Sequence, residues 1–478
     1  MSWPEPAELL TPAEMGRADA LALAEGIQGY GLMEAAGRAV ARAIRARFRP
    51  QPTVVLAGPG NNGGDGYVVA RHLEQMGWPV AVAALAPPRP GSDAALAAAA
   101  WRGPVRPFTP ASVARTGLVV DALFGAGLAR PLGAAVQAVL QAVTAPIIAI
   151  DVPSGVDGAT GQALGYAPQA ALTVTFFRLK PGHLLFPARG LCGEVVLADI
   201  GLPARVLDEI APQSWRNGPG VWSLPATAAQ AHKYRRGHVT ILAGASMPGA
   251  ARLAAVAARR TGAGLVSLLA GDAALAQLLR GGDPGLLVTE EALDTLLGDA
   301  RRAVWLLGPG LLPDAATRKA LAAVLAAKRL LVADAGAIMA AAGQPEILRG
   351  TAVITPHTGE FARVFGDPGQ DRPSALRQAA AQIGGVVVLK GPDSMIAAPD
   401  GRLIINDNAP ASLATAGSGD VLAGLIAGLM AQGMAPFEAS AAAVWLHGAA
   451  ARLGPPGLIA EDLPPLIAVA MQQLMPAP

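Results

Sequence analysis

Short apolar runs alternate with stretches of helical spacing along almost the whole chain. In the first half, residues 53–57 (TVVLA), 80–85, 118–120 and 147–150 have the length and composition of buried strands. Residues 13–48 read as helical. Apolar and basic positions alternate at roughly helical spacing from Arg38 to Phe48, until Pro50 and Pro52 stop the pattern. A further helix is expected over residues 67–76. In the second half, residues 239–243, 265–269, 303–307, 330–333, 352–354 and 386–390 read as strands, with a helix over residues 251–260 after the first of them. Strands alternating with helices predict an α/β chain whose two halves are each a three-layer domain around a mainly parallel sheet. Between Gly201 and Ala231 the pattern lapses into proline, glycine and lone tryptophans. That places a domain boundary near Pro212, with domains over residues 1–212 and 213–478.

The length of 478 residues agrees with two cores rather than one. Hydrophobic residues make up 52% of the chain and the mean hydropathy is +0.39, which raises the question of a membrane. The nearest approach to a span, residues 131–150, contains Gln137, Gln141 and Thr144 and is split by Pro146. It reads as a helix followed by a buried strand. The opening MSWPEPAELL has early acids and no basic start before an apolar block, so no signal peptide is expected. Cys192 is the one cysteine, which excludes an internal disulfide framework and suits a reducing cytoplasm. A net charge of +2 gives no electrostatic case for nucleic acid.

The first strand runs into Gly58-Pro59-Gly60-Asn61-Asn62-Gly63-Gly64-Asp65-Gly66, a GxGxxG pattern between a strand and a helix. A dinucleotide fingerprint also needs an acid at the end of the next strand. Here that strand runs into Ala86-Pro87-Pro88-Arg89, so an ordinary NAD-cofactor domain is disfavoured while a phosphate-bearing ligand is not. Polar groups also gather at the ends of two later strands, Asp121-Ala122-Leu123-Phe124-Gly125-Ala126-Gly127 and Asp151-Val152-Pro153-Ser154-Gly155. In a parallel sheet such loops converge at the carboxyl ends of the strands. Amide, carboxylate and hydroxyl oxygens without clustered histidine or cysteine suit a hard cation. Each loop alone is also an ordinary turn-and-cap sequence. Three at successive strand ends favour a site.

After an LMEAAG helix, GPGNNGGDG, VDALFGAG, IDVPSGVDG and TVTFFRLKPGH follow in order. This series resembles the NAD(P)H-hydrate epimerase domain from about Pro12 to Leu202, and the resemblance implies a Rossmann-like domain that interconverts R and S forms of hydrated NADH and NADPH. It implies that Asn61, Asn62, Gly63, Gly64 and Asp65 bind the hydrate, together with Gly125, Ala126, Gly127, Leu128, Ala129, Arg130, Pro131 and Asp151. It further implies that Asn62, Asp121 and Ser154 hold potassium. Lys180 falls in the family's threonine-to-lysine segment and is expected to assist, with an exposed surface lysine as the plain alternative. Asp151 is the carboxylate expected to move a proton or assist ring opening.

In the second half, LATAGSGDVLAGLIAG places Gly417, Ser418 and Gly419 in a small turn, then Asp420, then an apolar helix. The unpaired N–H groups and positive dipole end of a helix start can cradle a phosphate. Asp420 there is either a catalytic base or a helix N-cap. No GxxxxGK[ST] occurs, so this is not a P-loop domain. HKYRRGHVTILAG, TPHTGEF, VVLKGPDSMIAAPDG and LATAGSGDVLAGLIAGL resemble the ADP- or ATP-dependent NAD(P)H-hydrate dehydratases of the ribokinase-like fold, from about His232 to Asp462. The resemblance implies that a nucleotide, with Mg2+, phosphorylates the hydrate's hydroxyl and that phosphate then leaves to restore NAD(P)H. Asp420 would be the base and a substrate contact, with Ala250, Gly310 and His357 also on the hydrate. Lys390, Gly391, Pro392, Asp393, Ser394 and Gly419 would bind the nucleotide. Both Lys390, as a charged strand end, and His357, as a turn histidine, have plain readings as well.

The chain departs from the family pattern in four places. It reads Gly244-Ala245-Ser246 in the first turn, Gly336 where a second aspartate usually follows Asp334, Ser394 for threonine, and Ala416 for a glycine. The two-domain fusion resembles the bacterial arrangement, which implies ADP as donor and an oligomer. Two other readings compete: a ribokinase-like kinase that releases a phosphorylated vitamin precursor or sugar, and a first domain that serves only as a binding or scaffold module. Stable phosphorylated product would mark the kinase. Full retention of Asn62, Asp65, Asp121 and Ser154 speaks against the scaffold.

Overall fold

The computed structural model describes residues 7–226 and 232–474, so the far end of the irregular connection, residues 227–231, and both chain ends lie outside the described residues. The chain forms two compact units, residues 8–214 and residues 215 onward together with Ala7.

Seven strands make the sheet of the first unit: β1 (Thr53–Ala57), β2 (Val80–Ala84), β3 (Val105–Arg106), β4 (Leu118–Ala122), β5 (Ile147–Ile150), β6 (Leu172–Phe176) and β7 (Glu194–Ala198). Their order is β3-β2-β1-β4-β5-β6-β7, and every neighbouring pair is parallel. The side chains alternate between two cores. Val55, Val120, Ile148 and Val174 meet Val40 and Ile44 of the helix Gly29–Arg47 and Val68 and Leu73 of the helix Asn61–Gln75. Val54, Leu56, Val119 and Ala149 meet Val136, Val139 and Leu140 of the helix Ala134–Gln141. This is the three-layer arrangement that strands buried on both faces require. The strand order reverses between β1 and β4, which opens a crevice at their carboxyl ends.

The helix after β1 begins at Asn61 rather than at Tyr67. Its glycines serve close approach instead of loop flexibility: a side chain at Gly63 would collide with the Gly58 carbonyl. The segment expected as a loop is therefore the first turns of a rigid helix, and its N–H groups face the crevice end. The long helical stretch at the start is two helices, Pro12–Ala24 and Gly29–Arg47, parted at Gly26, whose φ is 89°. Thr11 and Glu14 form a capping box at the first.

The second sheet has ten strands: β8 (Ser214–Arg216), β9 (His238–Leu242), β10 (Leu265–Leu269), β11 (Leu287–Thr289), β12 (Val304–Leu307), β13 (Leu330–Ala333), β14 (Val353–Ile354), β15 (Val386–Leu389), β16 (Met395–Ala397) and β17 (Leu403–Ile405). The order is β11-β10-β9-β12-β13-β14-β15-β16-β17-β8. It is parallel from β11 to β15 and antiparallel through β16 and β17. One face is covered by the helices Pro248–Arg260, Ser418–Ala431, Pro436–Leu453 and Leu463–Leu474. Within Ser418–Ala431, Gly424 lets the backbone approach Ala254 so closely that no side chain would fit. That contact fixes the start of the helix, where Gly417 takes φ 84°, against the rest of the unit. No described helix is long and apolar enough to cross a membrane.

Candidate active sites

A cavity of about 980 Å³ opens at the switch point of the first sheet. Asn61, Asn62, Asp65, the residues from Gly125 to Arg130, Asp151 and Lys180 all line it, as expected for a ligand site in an open α/β sheet. Three expected contacts do not. Gly63 and Gly64 pack against Gly58 and Met33 beneath the cavity, and Pro131 points away to solvent. The opposite wall comes from the two N-terminal helices, through Met15, Asp19, Leu32 and Met33. Only the sparse amphipathic pattern of those helices could have signalled this.

Asp151 follows β5 in the left-handed region, at φ 68°, a strained setting for a residue with a side chain. Its carboxylate is saturated. One oxygen accepts from the Ala126 N–H at 2.9 Å; the other accepts from Thr175 Oγ1 at 3.0 Å and pairs with Lys180 Nζ at 2.7 Å. Lys180 Nζ also donates to Thr175 Oγ1 at 2.8 Å, and the side chain is 3% exposed, so this is a buried ion pair and not a surface lysine. His183 Nδ1 accepts the Lys180 N–H at 2.9 Å, which leaves Nε2–H to donate to the Asp151 carbonyl at 2.8 Å. Burial alone would raise the Asp151 pKa, but the Lys180 charge and the donated bonds bring it down to about 2. Burial and the same lysine lower His183 to about 4, so it is neutral. The expectation that Asp151 moves a proton meets a physical obstacle: so weak a base stays a fixed negative charge. Asp65 is the reverse case, pushed well above the usual carboxylate range by burial and by the facing Asp151 and Asp19 charges.

Behind the cavity wall, Asp121 is fully buried at the end of β4. It accepts from Ser154 Oγ at 2.6 Å, from Ser154 N at 2.8 Å and from Leu123 N at 3.3 Å. Burial raises its pKa against these bonds, and none of its partners carries a positive charge. Asn62 Nδ2 is buried without a partner. Turned end for end, that amide presents an oxygen to the same space. A buried carboxylate lacking a counter-ion and an orphaned amide each have donor oxygens of the kind that suits a monovalent cation. Among the described residues no cluster of three histidines, cysteines or carboxylates could hold a metal.

In the second unit, the expected residues meet at the ends of β12 to β15 and the start of Ser418–Ala431. Gly417 is the N-cap, so Asp420 is the third residue of the helix, and no side chain caps it. The capping role left open for Asp420 is thus not the one it has. Among the described residues its carboxylate has no hydrogen-bond or ion-pair partner. Burial first, then the facing Asp334 carboxylate, lift its pKa to about 6, against the pull of Lys390. Lys390 Nζ lies 3.3 Å from where a side chain on Gly419 would begin, and it pairs with Asp334 at 2.7 Å. Asp334 and Glu360 raise the Lys390 pKa despite its burial. His357 caps the helix Thr358–Phe365, its Nδ1 accepting from the Gly359 and Glu360 N–H groups, while the rest of the ring is exposed. Ser246 Oγ donates to the Gly310 carbonyl at 2.6 Å, so the unusual Gly244-Ala245-Ser246 turn is pinned to Gly310. Ala250 stands just inside the helix Pro248–Arg260.

The nucleotide segment needs correction in detail. Asp393 is 2% exposed and turned inward onto Arg372, which donates to both of its oxygens at 3.0 and 2.5 Å. Ser394 Oγ closes a turn with the Gly391 carbonyl at 2.8 Å. Gly391 and Pro392 alone face solvent, so this loop offers backbone rather than charge. Gly336 is also no simple loss: a side chain there would collide with the Leu311 carbonyl. Asp334, Thr355, Glu360 and His447 were not expected in this neighbourhood. The signal for Asp334 and Glu360 was a carboxylate directly after a strand or inside a motif.

Comparison with known proteins gives a family match in each half of the chain. A family model described as NAD(P)H-hydrate dehydratase matches residues 239–472, and one described as YjeF-related protein N-terminus matches residues 29–182. The bifunctional NAD(P)H-hydrate repair enzyme of Moorella thermoacetica is 36% identical over 92% of this chain and 91% of its own. The chain belongs to the bifunctional NAD(P)H-hydrate repair enzyme family. The Escherichia coli member is 35% identical, over 92% of this chain and 88% of its own. A solved structure, the ADP/ATP-dependent NAD(P)H-hydrate dehydratase of Bacillus subtilis, co-crystallized with ATP/Mg2+, is similar at 28% identity. It covers 53% of this chain and 95% of its own, with a TM-score of 0.47. As a member of the repair-enzyme family, the protein is a bifunctional NAD(P)H-hydrate epimerase and dehydratase. The alternative of a ribokinase-like small-molecule kinase fused to a Rossmann-like binding domain is not favoured.

Proposed function

We propose that the cavity of the first unit epimerises the R and S hydrates of NADH and NADPH, and that the cleft around Asp420 dehydrates the S form at the expense of ADP. The observation that carries the second assignment is the Asp420 carboxylate, unpartnered among the described residues and with a pKa of about 6, on the first turn of a helix beside a half-buried lysine. Such a group is ionised at neutral pH yet basic enough to take a proton. Asp420 removes the hydroxyl proton of the hydrate, whose oxygen attacks the terminal phosphoryl group of the nucleotide. The helix-start N–H groups and Lys390 take up the charge of the transferring phosphoryl. The remaining nucleotide leaves as AMP. Phosphate then departs from the substrate carbon as the ring nitrogen lone pair pushes in, and loss of a proton from the adjacent carbon restores the double bond. His357, Gly310 and Ala250 bind the hydrate; Gly391, Pro392 and Gly419 meet the nucleotide through backbone. Asp393 and Ser394 hold that loop in shape. Mg2+ arrives as the nucleotide's counter-ion.

In the first cavity, hydration has placed a hydroxyl on a carbon bonded to the ring nitrogen. Lys180 donates a proton to that hydroxyl, the C–O bond breaks, and the electron pair leaves with water. The positive charge left on the nitrogen faces the permanently ionised Asp151. Water adds from the other face and returns a proton to Lys180, which inverts the centre. Potassium, held by Asn62, Asp121 and Ser154, would supply the charge that buried Asp121 lacks and keep the surrounding strand-end loops in place. Exchanging potassium for a bulky organic cation should slow epimerisation and leave dehydration less affected, and Asp121→Ala should mimic it. Equal epimerase rates with and without potassium would remove the ion from the proposal.

The deciding assay supplies mixed R and S NADHX with ADP or with ATP. Return of NADH absorbance with phosphate release supports repair, and ADP is the donor expected to sustain it. Turnover with ATP alone would overturn the choice of donor, and a stable phosphorylated product would favour a kinase. A reducing cytoplasm suits the single cysteine, buried as Cys192 with its pKa lifted to about 12 by burial. An oligomer is expected, and a monomeric mass in light scattering would contradict it.

A further inference from the structure

We propose that Asp334 is a positioning residue for the dehydration: buried under the anion cradle, it holds the Lys390 ammonium against Gly419. Three neighbouring strands bring the parts together. Asp334 follows β13, Thr355 follows β14 and Lys390 follows β15. One Asp334 oxygen receives both Lys390 Nζ, at 2.7 Å, and Thr355 Oγ1, at 2.8 Å. Asp334 is 2% exposed, so it does not itself reach a ligand in the cleft. On its far side, the same ammonium stands 3.3 Å from the position a Gly419 side chain would occupy, and Glu360 is the next acid, at 3.9 Å. The lysine therefore bridges a buried anion and the place where a phosphate would bind.

A buried ion pair adds little to stability compared with apolar residues of the same size, so a structural role alone is a weak account of it. As a tether the pair makes sense. Lys390 carries four rotatable bonds, and an ammonium already fixed in place loses less freedom when phosphate arrives. Asp334 also acts on Asp420 through space. The groups near Asp420 are Asp334, Lys390, Glu360 beyond it, and His447 of the helix Pro436–Leu453. His447, lowered to about 4 by burial and by Lys390, is neutral. Asp334 is thus the charge that favours the proton on Asp420, and Lys390 is the charge that opposes it. Neutralising Asp334 removes the first and frees the second, so both changes lower the Asp420 pKa.

This inference rests on the proposed nucleotide site, and the full-length chain tests the two separately. Wild type that neither binds nor consumes ADP or ATP would defeat the site itself. Given wild-type turnover, Asp334→Asn should raise the nucleotide KM on the order of tenfold, the scale of one charge-assisted hydrogen bond. The acidic limb of the kcat/KM profile should move to lower pH. Thr355→Val, which removes the other bond to the same oxygen but keeps the charge, should leave that limb in place. A Lys390→Met protein carries the KM loss already, and adding Asp334→Asn should add nothing further, since the tethered group is gone. This double variant also lifts the burden of an unpaired buried lysine should the single Asn variant fold poorly. An unchanged KM with an unmoved limb in Asp334→Asn would overturn the proposal. So would an additive double variant, or a Thr355→Val protein that moves the limb equally.

Discussion

The Asp420→Asn protein is expected to dehydrate the S hydrate roughly a hundred- to ten-thousand-fold more slowly, the usual cost of removing a general base. The amide keeps the shape but cannot take the proton, so kcat should fall more than binding does. Epimerisation, whose proposed residues all lie in the other unit, should run at the wild-type rate. Stability separates this outcome from damage to the helix start. An acid whose folded pKa is raised, here to about 6, costs the folded state stability above that pH, because the unfolded chain ionises more readily. That cost is full above about pH 6, shrinks as the pH falls, and is gone below the ordinary carboxylate pKa of about 4, and the Asn variant never bears it. Its Tm at neutral pH should therefore equal or exceed that of wild type. In wild type, kcat/KM for dehydration should fall tenfold per unit on the acid side of about pH 6. A folded Asn variant with the wild-type rate would sink the assignment.

Lys180→Met should abolish R-to-S exchange to within measurement while S-form dehydration continues. The change removes the proposed proton donor and leaves the half-buried Asp151 without its cation. Breaking a buried pair from one side typically costs about 3–5 kcal/mol, so the first unit should also melt earlier. Lys180→Arg tests chemistry apart from charge. Arginine restores a cation but holds its proton too tightly to give it up readily, so Tm should recover further than activity. Recovery of both in equal measure would reduce Lys180 to a structural counter-ion. Asp151→Asn should impair exchange as well, through the fixed charge rather than a proton.

Most of the strands were legible in the sequence because buried parallel strands are short, apolar and bounded by turn residues. The core residues of β1, β5, β10 and β13 fall where the apolar runs do. The start of the helix at Asn61 was not legible, since three glycines among its first six residues carry the statistics of a loop. What they answer to is the nearness of Gly58 and Met33, a tertiary fact. Side-chain direction within a turn was equally hidden. Asp393 and Ser394 follow β15 and Lys390 directly, yet Arg372, 21 residues earlier, draws the acid inward. Asp151 stands out by its position after β5, but its weak basicity depends on Lys180, which arrives from beyond β6, and on the Ala126 N–H. Apolar cavity walls such as Met15 and Leu32 carry no chemical signature at all.

The desolvated setting of Asp420 also bears on the balance between damage and repair. Hydration of a dihydronicotinamide starts with a proton added to carbon, so the lesion forms faster in acid. The proposed base, Asp420, has its pKa lifted to about 6, so it would lose its ionised form as the pH falls through that value. As the medium acidifies, the lesion therefore accumulates from both directions, faster made and more slowly mended. A shift of one unit in that carboxyl group moves the point at which the pool of reduced cofactor begins to drain.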